Sequence, residues 1–249
     1  MLLLDKRVLV TGASGGIGAA IAKLFGREGA SIGVHYRNNV TEATRVAEHI
    51  KTVGGKAALL KLDLLAPEAP KQLIQSFISL FGGLDILINN AGGCEEYVDF
   101  RDLSEDEWEK TLALNAKVPL WLSREAWPYM LDAGKGRIIN ISSVSVKYQS
   151  AIGLHYRAAK AALESVTLAL AREGAKKNIL VNAIRPGVIE TSMYKKLKGY
   201  GDDRLRTRIA MIPIGRAGKV DEVAQLALFL ASEGGSYITG EIIAVAGGD

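Results

Sequence analysis

Val8-Leu-Val-Thr-Gly-Ala-Ser-Gly-Gly-Ile-Gly-Ala-Ala-Ile-Ala-Lys-Leu-Phe25 decides the fold of this chain. Residues 8–11 are a short β-rich run, and the residues after Thr11 pass through glycines straight into an amphipathic helix. Strand, glycine turn and helix make a phosphate-binding layout. Gly12, Gly16 and Gly18 permit a tight turn, close approach of a pyrophosphate and packing of helix on strand. The backbone around Ser14, Gly15 and Ile17 then points its N–H groups, with the helix dipole, at an anion. The spacing Gly-x-x-x-Gly-x-Gly differs from the commoner Gly-x-Gly-x-x-Gly, and glycine turns also join strands to helices for steric reasons alone. The meaning of this turn depends on its surroundings.

Downstream, Ser-Ile-Gly-Val-His-Tyr at 31–36 is a second strand. A carboxylate that reads a ribose belongs at its end, about 20 residues after the glycines. None is there. Tyr36, Arg37 and Asn38 occupy the turn instead, so a guanidinium is available for a 2′-phosphate and no acid repels it, which favours NADP over NAD. A helix at about 41–53, a strand at 56–62 ending at Asp63-Leu64, a helix at about 67–80 and a strand at 85–88 continue the alternation. This predicts a single α/β domain over residues 1–249, a doubly wound parallel sheet with helices on both faces. Asn89-Asn90-Ala91-Gly92-Gly93 closes the fourth strand with amides and small residues, which suits backbone lying against a cofactor; a turn alone also explains it.

Ser104 followed by three acids opens a long helix to about Leu131. Asn115 lies inside it, where an asparagine tends to bond locally and to cause a bend or hold a water. Trp108, Trp121 and Trp127 on the same helix read as core or subunit-interface packing. Arg-Ile-Ile-Asn-Ile at 137–141 is a buried strand, and Ser143 at its end stands where ligands of open α/β sheets collect. Tyr156 and Lys160 are four apart on the next helix, hence on one face. A tyrosine hydroxyl titrates near ~10, and an ammonium beside it lowers that value, which makes Tyr156 a usable acid or base. After a strand at 179–184, Pro186-Gly187 stops the chain sharply. Residues 191–215 show no strong periodicity and read as a substrate lid. A helix at about 220–231 and a strand at 242–246 complete the pattern.

The 249 residues are 48% hydrophobic, ample for a core, with a formal net charge of +4. Six basic residues against two acids between Lys195 and Arg208 match that whole excess, so the rest is balanced. A general nucleic-acid surface is excluded. The cluster either meets an anionic substrate or is a solvated face. No run of eighteen apolar residues and no basic-then-apolar leader occurs, which points to a cytoplasmic protein with no membrane partner. One cysteine, Cys94, and three separated histidines give neither a disulfide nor a metal site. Cys94 reads as a packed thiol, and His155 as a helical neighbour of Tyr156 that points elsewhere.

In this order, Thr11-Gly12-x-x-x-Gly16-x-Gly18, Asn89-Asn90-Ala91-Gly92, Asn115, Ser143, Tyr156-x-x-x-Lys160 and Pro186-Gly187 resemble the short-chain dehydrogenase/reductase family, over effectively the whole chain. The resemblance implies a Rossmann-type fold of seven parallel strands and an Asn115, Ser143, Tyr156, Lys160 tetrad. Tyr156 would be the acid for carbonyl reduction and Ser143 would hold the substrate oxygen. Lys160 would bind the nicotinamide ribose, and Asn115 would place a water in a proton relay. Asp63 and Leu64 match an adenine contact, Asn90, Ala91 and Gly92 lie along the cofactor, and Ile189 and Thr191 match its carboxamide contact. A homotetramer built on the helices at 104–131 and 155–175 is implied. The chain looks most like the 3-oxoacyl-(acyl-carrier-protein) reductase branch, whose acidic carrier suits the basic lid and Arg172. A sugar, polyol or steroid-like alcohol is the alternative substrate; from another class, a dinucleotide-binding regulator without turnover is the alternative. Glu95, Glu96, Ser145, Lys147, Tyr148, Gln149 and His155 would border the substrate.

Overall fold

The structure, a computed structural model, describes residues 1–94, 96–147, 153–191, 198 and 201–249. Among these residues seven parallel strands form one sheet: β1 Arg7–Val10, β2 Ser31–Tyr36, β3 Lys56–Lys61, β4 Ile86–Asn89, β5 Gly136–Ile141, β6 Ile179–Pro186 and β7 Ile242–Val245. Their order is β3-β2-β1-β4-β5-β6-β7. The chain starts at β1, builds outward to β3, then returns to β1 and builds the other way from β4. Ligands of such sheets bind beyond the carboxyl ends of the strands at that reversal.

Period-two alternation sorts the core into two layers. Val8 and Val10 of β1 face helices α1 Gly16–Arg27, α2 Val40–Thr52 and α8 Val220–Ala231, and Leu9 between them faces α3 Ala69–Phe81 and α5 Val118–Asp132. Leu9 is fully buried, worth about 1.5–3 kcal/mol. β5 is buried along its whole length, as parallel strands covered on both faces should be.

Element positions follow the sequence reading closely, with two differences. The long helix breaks into α4 Glu105–Leu112, a π turn Ala113–Lys117 and α5. Ser104 caps it as expected, its Oγ accepting from Glu107 N at 3.2 Å. The break has two causes. Asn115 Nδ2 donates to Thr111 O at 2.8 Å, competing with the helical ladder, and Pro119 has no N–H to return to the Asn115 carbonyl. The second difference is in the segment read as a lid without periodicity: a helix, α7 Asp202–Ala210, lies there with both acids in its first turn. Its Leu205 and Ile209 pack on Val188, Ile212 and Ala217. Residues 192–197, 199 and 200, which include Lys195 and Lys196 of the basic cluster, lie outside the described residues. Among the described residues no helix is long and apolar enough to cross a membrane.

Candidate active site

A cleft of about 760 Å³ opens over the carboxyl ends of β1, β2 and β4 to β6. One wall is backbone. Gly12 sits at φ +64°, a left-handed conformation that costs other residues about 1–2 kcal/mol. At Gly18 a Cβ would lie 2.4 Å from Asn90 Nδ2 and 2.5 Å from the Gly12 carbonyl, so helix and strand meet there at glycine distance. Asn90 Nδ2 donates to the carbonyls of Thr11 (2.8 Å) and Gly12 (3.2 Å), while Thr11 Oγ1 accepts from the N–H of Asn90 and of Ala91. The ends of β1 and β4 are thereby laced together. Helix α1 begins with no side-chain cap and no acid in its first turn, which leaves its first N–H groups facing the cleft.

Beneath this loop lies His35. Its Nδ1 accepts from Gly12 N and its Nε2 donates to Leu62 O, both at 3.1 Å, and its carbonyl accepts from Ala13 N at 2.8 Å. Both ring nitrogens are satisfied only in one neutral tautomer. Burial holds the imidazole down to about 4. Sequence reasoning passed over His35. Its signal is a polar side chain inside an otherwise apolar buried strand.

Of the expected cofactor residues, Gly12, Ser14, Gly15, Gly16, Ile17, Arg37, Asn38, Asp63, Leu64, Asn90, Ala91, Gly92, Pro186, Gly187, Ile189 and Thr191 line the cleft. Two do not. Tyr36 is buried among α1 and α2 side chains, because alternation along β2 turns it away when His35 faces the loop. Gly18 acts from behind, as a close contact. Arg37 and Asn38 are exposed at the end of β2. Asp63 Oδ1 accepts from Leu65 N at 3.0 Å, which fixes the turn after β3. Thr191 Cγ2 would be 3.3 Å from a Cβ at Gly16, so the two ends of the cleft touch.

The opposite wall is made of buried side chains on α6 Leu154–Gly174 and the end of β5. Lys160 is 3% exposed, and its Nζ donates to Ile141 O at 2.8 Å and sits 5.6 Å from the Tyr156 ring centre. Burial pushes its ammonium down to about 7, against the carboxylate of Glu164, which raises it. Ser143, half-buried, starts a 3-10 turn Val144–Val146, with its Oγ accepting from Ser145 N at 3.2 Å. Asn115 does not reach the cleft surface. Its amide donates to Gly93 O (2.7 Å) and Thr111 O, and its Oδ1 accepts from Gly93 N at 2.9 Å. The side chain is committed to holding the wall at Gly92, where a Cβ would lie 2.5 Å from Asn115 Oδ1 and 3.0 Å from Lys160 Nζ.

Toward the open end, Cys94, Glu107, Lys110 and Lys198 line the cleft. Burial, with Glu107 beside it, pushes the Cys94 thiol up to about 12, so it is no nucleophile. His155 is fully buried, its Nε2 3.5 Å from Glu107 Oε1, and it stays off the cleft surface. Glu95, Tyr148 and Gln149 lie outside the described residues. Among the described residues no cluster of acids, cysteines and histidines could hold a metal.

The residues present fit a dinucleotide. A Cβ at Gly15 would meet nothing within 4 Å, so the loop is open to the cleft, and Lys160 has three donors, one of them on Ile141. This fold and cleft define a nicotinamide-dinucleotide oxidoreductase. A family model described as Enoyl-(Acyl carrier protein) reductase matches residues 12–249. The 3-oxoacyl-[acyl-carrier-protein] reductase FabG of Chlamydia pneumoniae is 37% identical over 99% of this chain and 97% of its own length. A mutant short-chain dehydrogenase/reductase of Serratia marcescens superposes with a TM-score of 0.91 at 34% identity, covering 100% of this chain and 99% of that one. The chain belongs to the short-chain dehydrogenase/reductase family. The landomycin C-6 ketoreductase LanV, solved with bound NADP and rabelomycin, superposes with a TM-score of 0.88 at 34% identity over 99% of this chain and 97% of its own.

Proposed function

We propose that this chain is a cytoplasmic, homotetrameric, NADPH-dependent reductase of 3-oxoacyl thioesters borne on an acidic acyl carrier protein. The observation that carries the reading is the burial of Tyr156 and Lys160 side by side at the cleft, with Ser143 at the end of the adjoining strand. When bound, the nicotinamide dinucleotide would supply the hydride. Ser143 donates to the substrate oxygen and holds the carbonyl in line. Tyr156 gives that oxygen its proton, and Lys160 beside it stabilises the phenolate left behind. Asn115 keeps the Gly92-Gly93 wall in place. Arg37, exposed at the cleft edge with no acid from Tyr36 to Asn39, supports the 2′-phosphate. The printed activity of the Chlamydia pneumoniae relative supports the thioester, and exposed Arg172 with Lys198 supports the acidic carrier. Residues 191–215 act as the lid. Exposed Leu154 and Leu168 on α6 support the tetramer, which sedimentation would check.

The test is loss of nicotinamide absorbance with NADPH and NADH in parallel, over 3-oxoacyl and enoyl thioesters, sugars and steroid-like ketones, with Tyr156→Phe as blank. Turnover of the 3-oxoacyl thioester with NADPH supports the proposal. Turnover of the enoyl thioester alone would support the activity named in the matching family model. Sugar or steroid turnover would keep the mechanism and discard the substrate. Cofactor binding without reduction of any member would leave a regulator.

A further inference from the structure

Behind Lys160 lies an ion pair, buried at Glu164 and half-buried at Arg185, that the reaction above does not use. One turn further along α6, Glu164 is 5% exposed and accepts from Ser142 Oγ at 2.7 Å. Arg185 reaches it from β6 as a fork, Nε to Oε1 at 2.6 Å and Nη2 to Oε2 at 2.5 Å. We propose that Glu164 and Arg185 are a positioning pair that seats Ser143, with Glu164 supporting the positive charge of Lys160 and Arg185 tempering that support. This rests on the roles proposed above for Ser143, Tyr156 and Lys160.

The geometry gives the first half of the inference. Lys160 takes the carbonyl of Ile141, and Glu164 takes the hydroxyl of Ser142. Successive turns of one helix thus pin the two residues directly before Ser143. Ser142 N also donates to Ile184 O at 2.7 Å, next to Arg185, so the same strand that orients Glu164 fixes the β5 end from its other side.

The choice of charged residues gives the second half. An apolar pair of the same volume would hold α6 to β5 and β6 at no less stability, because a buried ion pair loses in desolvation about what it gains in attraction. A carboxylate four residues from a buried lysine does something an apolar pair cannot. Among the described residues, the charged and titratable groups around Lys160 are Tyr156 and Glu164 on its own helix, Arg185 on β6, and Cys94, Glu107 and Lys110 across the cleft. The π turn and the β5 end contribute only neutral Asn115, Ser142 and Ser143. Glu164 opposes the effect of burial on the Lys160 ammonium, and the guanidinium of Arg185, forked on the same carboxylate, places a positive charge that should temper that support.

The two members of the pair therefore act with opposite sign. In Glu164→Gln, which keeps the shape, Lys160 loses its proton at lower pH, and the alkaline limb of kcat/KM moves down by roughly one pH unit. In Arg185→Met the unbalanced carboxylate moves the same limb up. The double variant returns it toward wild type. Ultraviolet difference titration of tyrosinate, with Tyr156→Phe subtracted, should show Tyr156 ionising at higher pH in the first variant and at lower pH in the second. Equal loss of activity at every pH in both single variants, with limb and tyrosinate titration unmoved, overturns the proposal and leaves a structural pair. If either variant does not fold, Ser142→Ala, which removes one hydrogen bond from Glu164, should lower kcat several-fold at constant KM; unchanged kcat would overturn the seating of Ser143. The tyrosinate titration needs no substrate, so failure of the pair and failure of the assigned reaction are read separately.

Discussion

The two walls of the cleft solve opposite problems. The wall from β1 to β3 presents backbone: glycines, amide N–H groups and the start of α1, with His35 buried beneath as a brace. The wall from β5 and α6 presents buried Tyr156 and Lys160, with the Glu164–Arg185 ion pair behind Lys160. A backbone wall can hold an anion at any pH where the fold stands, because amides do not titrate. A wall of buried ionisable groups works only where their protonation is right.

Substitutions can break that contrast, and the largest effect is expected on the charged wall. Tyr156→Phe should lower kcat about a thousandfold while cofactor affinity, measured by fluorescence titration, changes little. If Kd for NADPH rises by as large a factor as kcat falls, the walls are not separate. Gly18→Ala attacks the other wall by forcing a Cβ onto Asn90 and Gly12. We expect a loss of about 1–3 kcal/mol in thermal unfolding and weaker cofactor binding.

His35→Leu is smaller and sharper. It leaves Gly12 N–H unpaired under the loop, about 1–3 kcal/mol, and should weaken dinucleotide binding on the order of tenfold with kcat at saturation unchanged. It also has a pH signature. The folded imidazole stays neutral down to about 4, whereas an unfolded histidine titrates near 6.5. Between those values the unfolded chain binds the extra proton, so wild-type stability falls as pH drops, by up to about 3 kcal/mol. The variant should lose that part of the slope in urea unfolding followed against pH. An identical slope in variant and wild type would show that His35 is not braced as described. Arg37→Ala should have the smallest effect, cutting the preference for NADPH over NADH about five- to tenfold, since an exposed guanidinium is partly screened.

The same contrast explains what the sequence made legible. A backbone wall needs glycine at fixed spacing, so Gly12, Gly16 and Gly18 announce it, and period-two apolar runs place every strand of the sheet to within a residue or two. Tyr156 and Lys160 are visible because they are four apart on a helix. Glu164 is a further four along, but its partner Arg185 and client Ser142 come from two other strands, and only the folded sheet brings them together. A strand end looks alike on both faces, so the sequence alone puts Tyr36 at the cofactor; which face His35 takes is settled by the Gly12 N–H it must satisfy. The helix in the basic segment escaped because α7 buries only a thin apolar stripe, Leu205 and Ile209.

Thr191 against Gly16 has a consequence for the order of synthesis. The glycine turn leaves the ribosome early, yet β1 gains its second neighbour only when β4 emerges, and the far side of the turn closes only once Thr191 has arrived. Until β4 has emerged the nascent chain carries a half-built sheet whose β1 edge is unpaired, the kind of edge that other chains join. The cleft therefore lacks its Thr191 side until late in translation, when α8 and β7 are still to come.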